Sequence, residues 1–176
     1  EAGWTALNAT HATNGGSVDI GGVVFSIGSA DGARIRGSSG SPNPNALTAD
    51  FAYDDGSGQA IILFFGGAGS LPAGDWQVEV WSYDADFDPI GDQFVGYRTN
   101  TTETIVASDM GSSSTGPSAS FIFTSDGTSA YDVFLRENNG GNRTRINAVR
   151  LTSVPEPSST ALLGLGGLAL LARRKR

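Results

Sequence analysis

From the first residues to about residue 153, apolar and polar positions alternate in short runs. Each run stops at a cluster of glycine, proline, asparagine, aspartate or serine. A period of two is that of a half-buried β-strand. The pattern predicts strands near 4–9, 17–27, 47–54, 59–66, 75–83, 93–99, 102–110, 118–125, 130–137 and 145–153. The breaks fall at Asn14-Gly15-Gly16, Gly37–Pro44, Asp54–Gly58, Gly66–Gly74, Gly111–Pro117, Asp126-Gly127 and Asn138–Asn142, all turn chemistry. Residues 59–65, QAIILFF, are apolar on both faces and read as a buried central strand. No stretch before the tail keeps a helical repeat. Short antiparallel strands at this spacing indicate an all-β body over 1–153, an antiparallel β-sandwich or jelly roll.

The strand around 75–83 carries the most informative alternation. Trp76, Val78 and Val80 share one face and should point to the core. Gln77, Glu79, Trp81 and Tyr83 share the other. Trp81 and Tyr83 on an outer face beside acids and amides would form an aromatic platform for a sugar ring. The competing reading is that a loop covers both rings.

Composition narrows the chemistry. Glycine occurs 25 times in 176 residues, twice the usual share of about 7 %. Cysteine is absent, which removes disulfides, thiol nucleophiles and thiolate metal sites. Histidine occurs once, as His11, and no G-x-S-x-G elbow is present. Residues 1–154 carry 17 acids and 7 bases, a net of −10. An acidic body repels phosphate backbones, so nucleic acid is not an expected partner.

Asp84, Asp86 and Asp88 occupy alternate positions in YDADFDPIGDQ, with Asp92 close behind. Hard cations take several oxygens, so a curved loop here could hold calcium. The spacing is not that of an EF-hand, because the twelfth position counted from Asp84 is Val95. The plain alternative is a solvated acidic loop. Melting in calcium against melting in chelator, for the wild type and Asp86→Asn, separates the two. Asp54-Asp55-Gly56-Ser57-Gly58 could also offer oxygens to calcium, but a plain hairpin turn explains it better. Arg136, Arg143, Arg145 and Arg150 cluster near the last strands and are expected in surface ion pairs. The Thr99, Thr101, Thr102 and Thr104 run reflects β-propensity.

The tail differs in kind. Pro155-Glu156-Pro157 is followed by the uncharged apolar run Thr160–Ala172 and then by Arg173, Arg174, Lys175 and Arg176. The two prolines favour an extended segment. The apolar run has 13 residues, short of the roughly 20 that span a bilayer comfortably. The basic end acts as a membrane stop.

These three parts, in this order, resemble the PEP-CTERM sorting signal of Gram-negative bacteria. The resemblance implies export, transient anchoring in the inner membrane by a short C-terminal apolar helix, and processing by an exosortase near Pro155-Glu156-Pro157. It implies association with exopolysaccharide or biofilm matrix. It also implies a leader ahead of the body. None is visible from Glu1, as expected if a leader has been removed or the chain is a fragment. Within the body, LPAGDWQVEVWSYD (71–84) and FLRENNGGNRTRINAVRLTS (134–153) resemble the galactose-binding-type jelly rolls of carbohydrate-binding modules.

The expectation is therefore a sandwich over 1–153 and a sorting tail over 154–176. The protein would be exported and non-catalytic, and it would act in adhesion, glycan binding or matrix scaffolding. Two other classes stay open. One is a self-assembling structural subunit with edge strands pairing between chains. The other is a polysaccharide-acting enzyme, although no pair among the acids is singled out.

Overall fold

The computed structural model describes residues 17–28, 32–35, 50–54, 60–84, 93–111, 113, 115–138 and 144–155. Among them the chain is all β. The strands are β1 (Ser17–Ile20), β2 (Val23–Gly28), β3 (Gly32–Ile35), β4 (Asp50–Asp54), β5 (Ala60–Phe65) and β6 (Gly74–Trp81). They continue as β7 (Gln93–Thr99), β8 (Thr102–Ala107), β9 (Ala119–Ser125), β10 (Tyr131–Glu137), β11 (Thr144–Ile146) and β12 (Ala148–Ser153). A six-stranded antiparallel sheet runs β1-β2-β5-β10-β7-β8. Two three-stranded sheets, β11-β4-β3 and β12-β6-β9, are also antiparallel.

A single residue, Asn147, separates β11 from β12. The first half of this run pairs with β4 and the second with β6. At the switch, the Asn147 amide donates to the Trp81 carbonyl at 2.9 Å. The Asn147 Oδ1 accepts from the Tyr83 amide at 2.6 Å. One strand run thus joins the two smaller sheets along the core side of the large one.

The core lies between these layers and follows the period of two. Ile61, Leu63 and Phe65 of β5, Val95 of β7, and Tyr131, Val133 and Leu135 of β10 face Val78 and Val80 of β6 and Phe121 and Phe123 of β9. Ala52 of β4 and Ile146 of β11 belong to the same cluster. Tyr97, Phe123 and Tyr131 stack in a ladder with centroid spacings of 5.2 Å. The expected inward set Trp76, Val78 and Val80 is the one that packs on this core.

Four elements differ from expectation, the first being the single strand expected at 145–153, which Asn147 divides into β11 and β12. The single strand expected at 17–27 is a hairpin. Gly21 and Gly22 sit at φ 64° and 89°, the two positive values that close a two-residue turn matching strand twist. Strand β3 was not foreseen, because four residues of GARI carry no alternation and the strand exists through its pairing with β4. The strand expected to reach residue 110 stops at Ala107, and Met110 turns inward with its amide on the Gln93 carbonyl at 2.9 Å. The strand expected at 4–9 and the expected C-terminal helix lie outside the described residues.

Tight turns collect at one end of the sandwich. The Gly69 amide donates to the Ser129 carbonyl, and the Ala130 amide donates to Asn100 Oδ1 at 3.1 Å. Asp126 caps its own turn, with its carboxylate accepting from the Ser129 and Thr128 amides at 2.7 and 2.8 Å. These bonds hold the Asp126 carboxyl far below the usual carboxylate range.

Gly96 on β7 is required by close packing. A Cβ there would collide with the Thr104 carbonyl oxygen and lie 3.0 Å from the Phe134 ring. Gly96→Ala should destabilise the fold by about 1–3 kcal/mol or more. At this chain size the melting temperature should drop by roughly 2–4 °C for each kcal/mol. Thermal melting beside a neutral exposed control such as Ile122→Thr measures it.

Candidate functional site

Of the acidic run, Asp84 is fully buried and paired with Arg145, whose Nε lies 3.1 Å from Asp84 Oδ2. Gln93 supports the pair. Its Oε1 accepts from the Arg145 amide at 3.1 Å, and its Nε2 donates to Ser82 Oγ at 3.2 Å. Arg145 is 3 % exposed, so the expected surface ion pair is a buried one. A charge taken out of water must meet an opposite charge, and β11 beside the end of β6 supplies that meeting. Asp86 and Asp88 lie outside the described residues. Among the described residues, no group of three acidic, histidine or cysteine side chains is arranged to hold a metal ion.

Trp81 does stand opposite Val80, as alternation requires, but it is only 8 % exposed. The Arg150 guanidinium lies 5.6 Å from its ring centroid and pairs with Glu79. Tyr83 is half-buried. The two rings do not form an open platform, because a cation from the neighbouring strand covers the tryptophan. Arg136 pairs with Glu103 at 3.4 Å, a surface pair as expected. Arg143 lies outside the described residues.

The sequence reading missed a second group of aromatics. The outer face of the six-stranded sheet carries Phe64, Phe94 and Phe134, out of phase with the core residues of the same strands. Phe134 is fully buried even though it faces away from the core. Its ring occupies the space that Gly96 leaves, and the Phe64 ring lies 2.7 Å from the position of a Cβ on Gly28. Glycine on one strand lets a ring on the next lie down across the sheet. Two guanidinium groups then lie over the rings. Arg136 sits 5.1 Å from the Phe94 centroid and 5.8 Å from that of Phe134. Arg98 sits 5.8 Å from the Phe64 centroid.

Each cation has a carboxylate beside it. Arg98 Nη2 donates to Asp132 Oδ2 at 2.7 Å, and Arg136 meets Glu103. The Nε atoms of Arg98 and Arg136 are buried without a hydrogen-bond partner. Burial pushes the Asp132 carboxyl up, and the Arg98 guanidinium opposes that rise. Asp132 and Phe134 are buried within this face, so what it presents outward is the Arg136–Glu103 pair, Arg98 and the half-buried rings of Phe64 and Phe94. A signal for it existed in the sequence. Phe94 and Arg98, and Phe134 and Arg136, are separated by even numbers of residues and must share a strand face.

The chain leaves the body from β12. Ser153 pairs with Trp76, and the Val154 amide still donates to the Asp75 carbonyl at 2.8 Å. Pro155 is exposed. Glu156 and Pro157 lie outside the described residues, as do Arg173, Arg174, Lys175 and Arg176. Residues 153–176 match the PEP-CTERM protein-sorting motif.

This chain carries a PEP-CTERM sorting motif. The motif indicates export and sorting to the cell envelope or extracellular space. No curated relative matches the sequence. Among solved structures, a family GH115 4-O-methyl-alpha-glucuronidase is similar over 72 % of this chain and 18 % of its own, at 10 % identity and TM-score 0.41. A family 89 glycoside hydrolase from Clostridium perfringens is similar over 76 % of this chain and 15 % of its own, at 14 % identity and TM-score 0.41. Xylanase10C from Cellvibrio japonicus is similar over 81 % and 29 %, at 12 % identity and TM-score 0.37. The chain spans less than a third of each, and likeness at this level carries no argument about activity. No helix among the described residues is long and apolar enough to cross a membrane.

Arg98→Met should reveal the Asp132 pairing through pH. Without its cation, the buried carboxyl rises further above its unfolded value of about 3.9. A group whose folded pKa is raised contributes stability at low pH and loses it as pH rises through that value. The melting deficit of Arg98→Met should therefore be largest near neutrality and shrink as pH falls toward 4. A deficit independent of pH would mean that only packing was lost.

Proposed function

We propose that the protein is an exported, non-catalytic β-sandwich that binds a hydroxyl-rich extracellular polysaccharide through the outer face of its six-stranded sheet. The observation that carries this reading is the partly exposed Arg136–Glu103 pair beside the half-buried rings of Phe94 and Phe64, with Arg98 over Phe64. Vicinal hydroxyls need donors and acceptors at short spacing, and an ion pair presents both. The apolar face of a sugar gains dispersion against flat rings and guanidinium planes. The sorting motif supports the setting, because it indicates export and sorting to the cell envelope or extracellular space. An exosortase and, transiently, the inner membrane are the partners this reading implies. The other outer face, on β6, β9 and β12, is closed by its own polar pairs. Thr124 Oγ1 donates to Asp75 Oδ1 at 2.7 Å, Gln77 Nε2 donates to Ser120 Oγ at 3.2 Å, and Arg150 meets Glu79.

A second reading is self-assembly through β8. Among the described strands β8 pairs only with β7, and its Ile105 and Val106 are 45 % and 43 % exposed. An exposed edge strand can pair with another chain.

Binding of the body to exopolysaccharide isolated from the native host's matrix tests the first reading. Arg136→Ala should weaken binding about tenfold, close to 1.4 kcal/mol, while Ile122→Ser on the opposite face should leave it unchanged. Equal binding by both variants would remove this face from the account. Scattering that grows with concentration and vanishes in Ile105→Lys would favour the second reading.

A further inference from the structure

Six residues, 154–159, separate the last strand from the apolar run that opens at Thr160. Fully extended, they reach about 20 Å. The first of them does not belong to a free linker. Val154 is half-buried and continues the β12–β6 ladder through its bond to the Asp75 carbonyl at 2.8 Å. Ser153 is paired with Trp76, and Thr152 with Gln77. Trp76 is fixed in turn by its indole N–H on the Pro72 carbonyl at 3.0 Å. The folded body therefore ends one residue before the sorting motif's first proline.

An enzyme that cuts a peptide bond takes up residues on both sides of it in extended form, and it cannot pair with a backbone already committed to a sheet. For a cut near Pro157, the upstream residues are Val154, Pro155 and Glu156, and the ladder holds the first of these. We propose that removal of the tail requires the end of β12, Thr152 to Val154, to come off β6 before the processing enzyme can engage the motif. This inference rests on the sorting reading of the tail and goes beyond it: the fold of the body sets the rate of its own release. Strand ends open locally at far lower cost than the whole fold. When opening is fast relative to cutting, the rate follows the population of the open form.

The experiment follows loss of the tail from the full chain in the native host, by pulse labelling and intact mass. A Gly-Ser-Gly-Ser insertion between Val154 and Pro155 should shorten the half-time threefold or more. Thr152→Gly keeps the spacing to the membrane but weakens the strand end. It should also shorten the half-time, with the melting temperature of the body little changed, and should add nothing in the insertion background. A half-time unchanged by the insertion, or a Thr152→Gly half-time equal to the wild type, overturns the proposal. A tail retained in every form, wild type included, overturns the processing reading and the proposal with it.

Discussion

The run from Thr144 to Ser153 is the constraint on which the rest of the structure depends. It must serve two neighbours in succession, β4 and then β6, and the change of partner happens at Asn147. Before that residue, the run carries Arg145 to Asp84 and Ile146 to the core. After it, Val149 and Leu151 pack against the core from the same strand, and Arg150 closes over Trp81. Removing either half would leave one small sheet without its link to the other. The run also fixes where the tail leaves the body, so core closure and sorting meet in ten residues.

The two outer faces of the sandwich show how similar residues reach different ends. On β6, β9 and β12, cation, carboxylate and hydroxyl are paired within the face, and Trp81 is sealed beneath them. On the six-stranded sheet, rings lie across Gly28 and Gly96, and the guanidiniums above them keep their Nε atoms unbonded. Those two Nε donors are buried beyond the reach of a ligand, but Arg136 and Glu103 reach the surface beside the half-buried rings of Phe64 and Phe94, whereas Trp81 is covered. That difference is the reason for assigning the binding role to the six-stranded sheet and not to the tryptophan-bearing strand.

Much of the body was legible because alternation is set by burial on one side. Val78 and Val80, and Ile61, Leu63 and Phe65, face the core as their spacing requires. What alternation could not show was the state of the opposite face. An aromatic such as Phe134, out of phase with Val133 and Leu135, reads as one more apolar residue of a central strand. Only the glycine beside it in the folded sheet reveals that its ring lies flat. Arg145 was illegible for a related reason, since a buried cation needs a carboxylate from a distant segment and sequence spacing does not bring Asp84 to it. The two-residue turn at Gly21-Gly22 lies inside a longer apolar run, whose alternation continues across it and hides the break. The tail was legible as a whole because its proline motif, apolar run and basic end follow one another without any tertiary partner.

The central claim is that a folded β body is carried to the envelope by its tail and then parted from it. Intact mass of the protein released by its native host tests this most directly. The account predicts a mature chain that retains the body through Ser153 and ends close to Pro157. A released protein whose mass still includes Arg173, Arg174, Lys175 and Arg176 would contradict it.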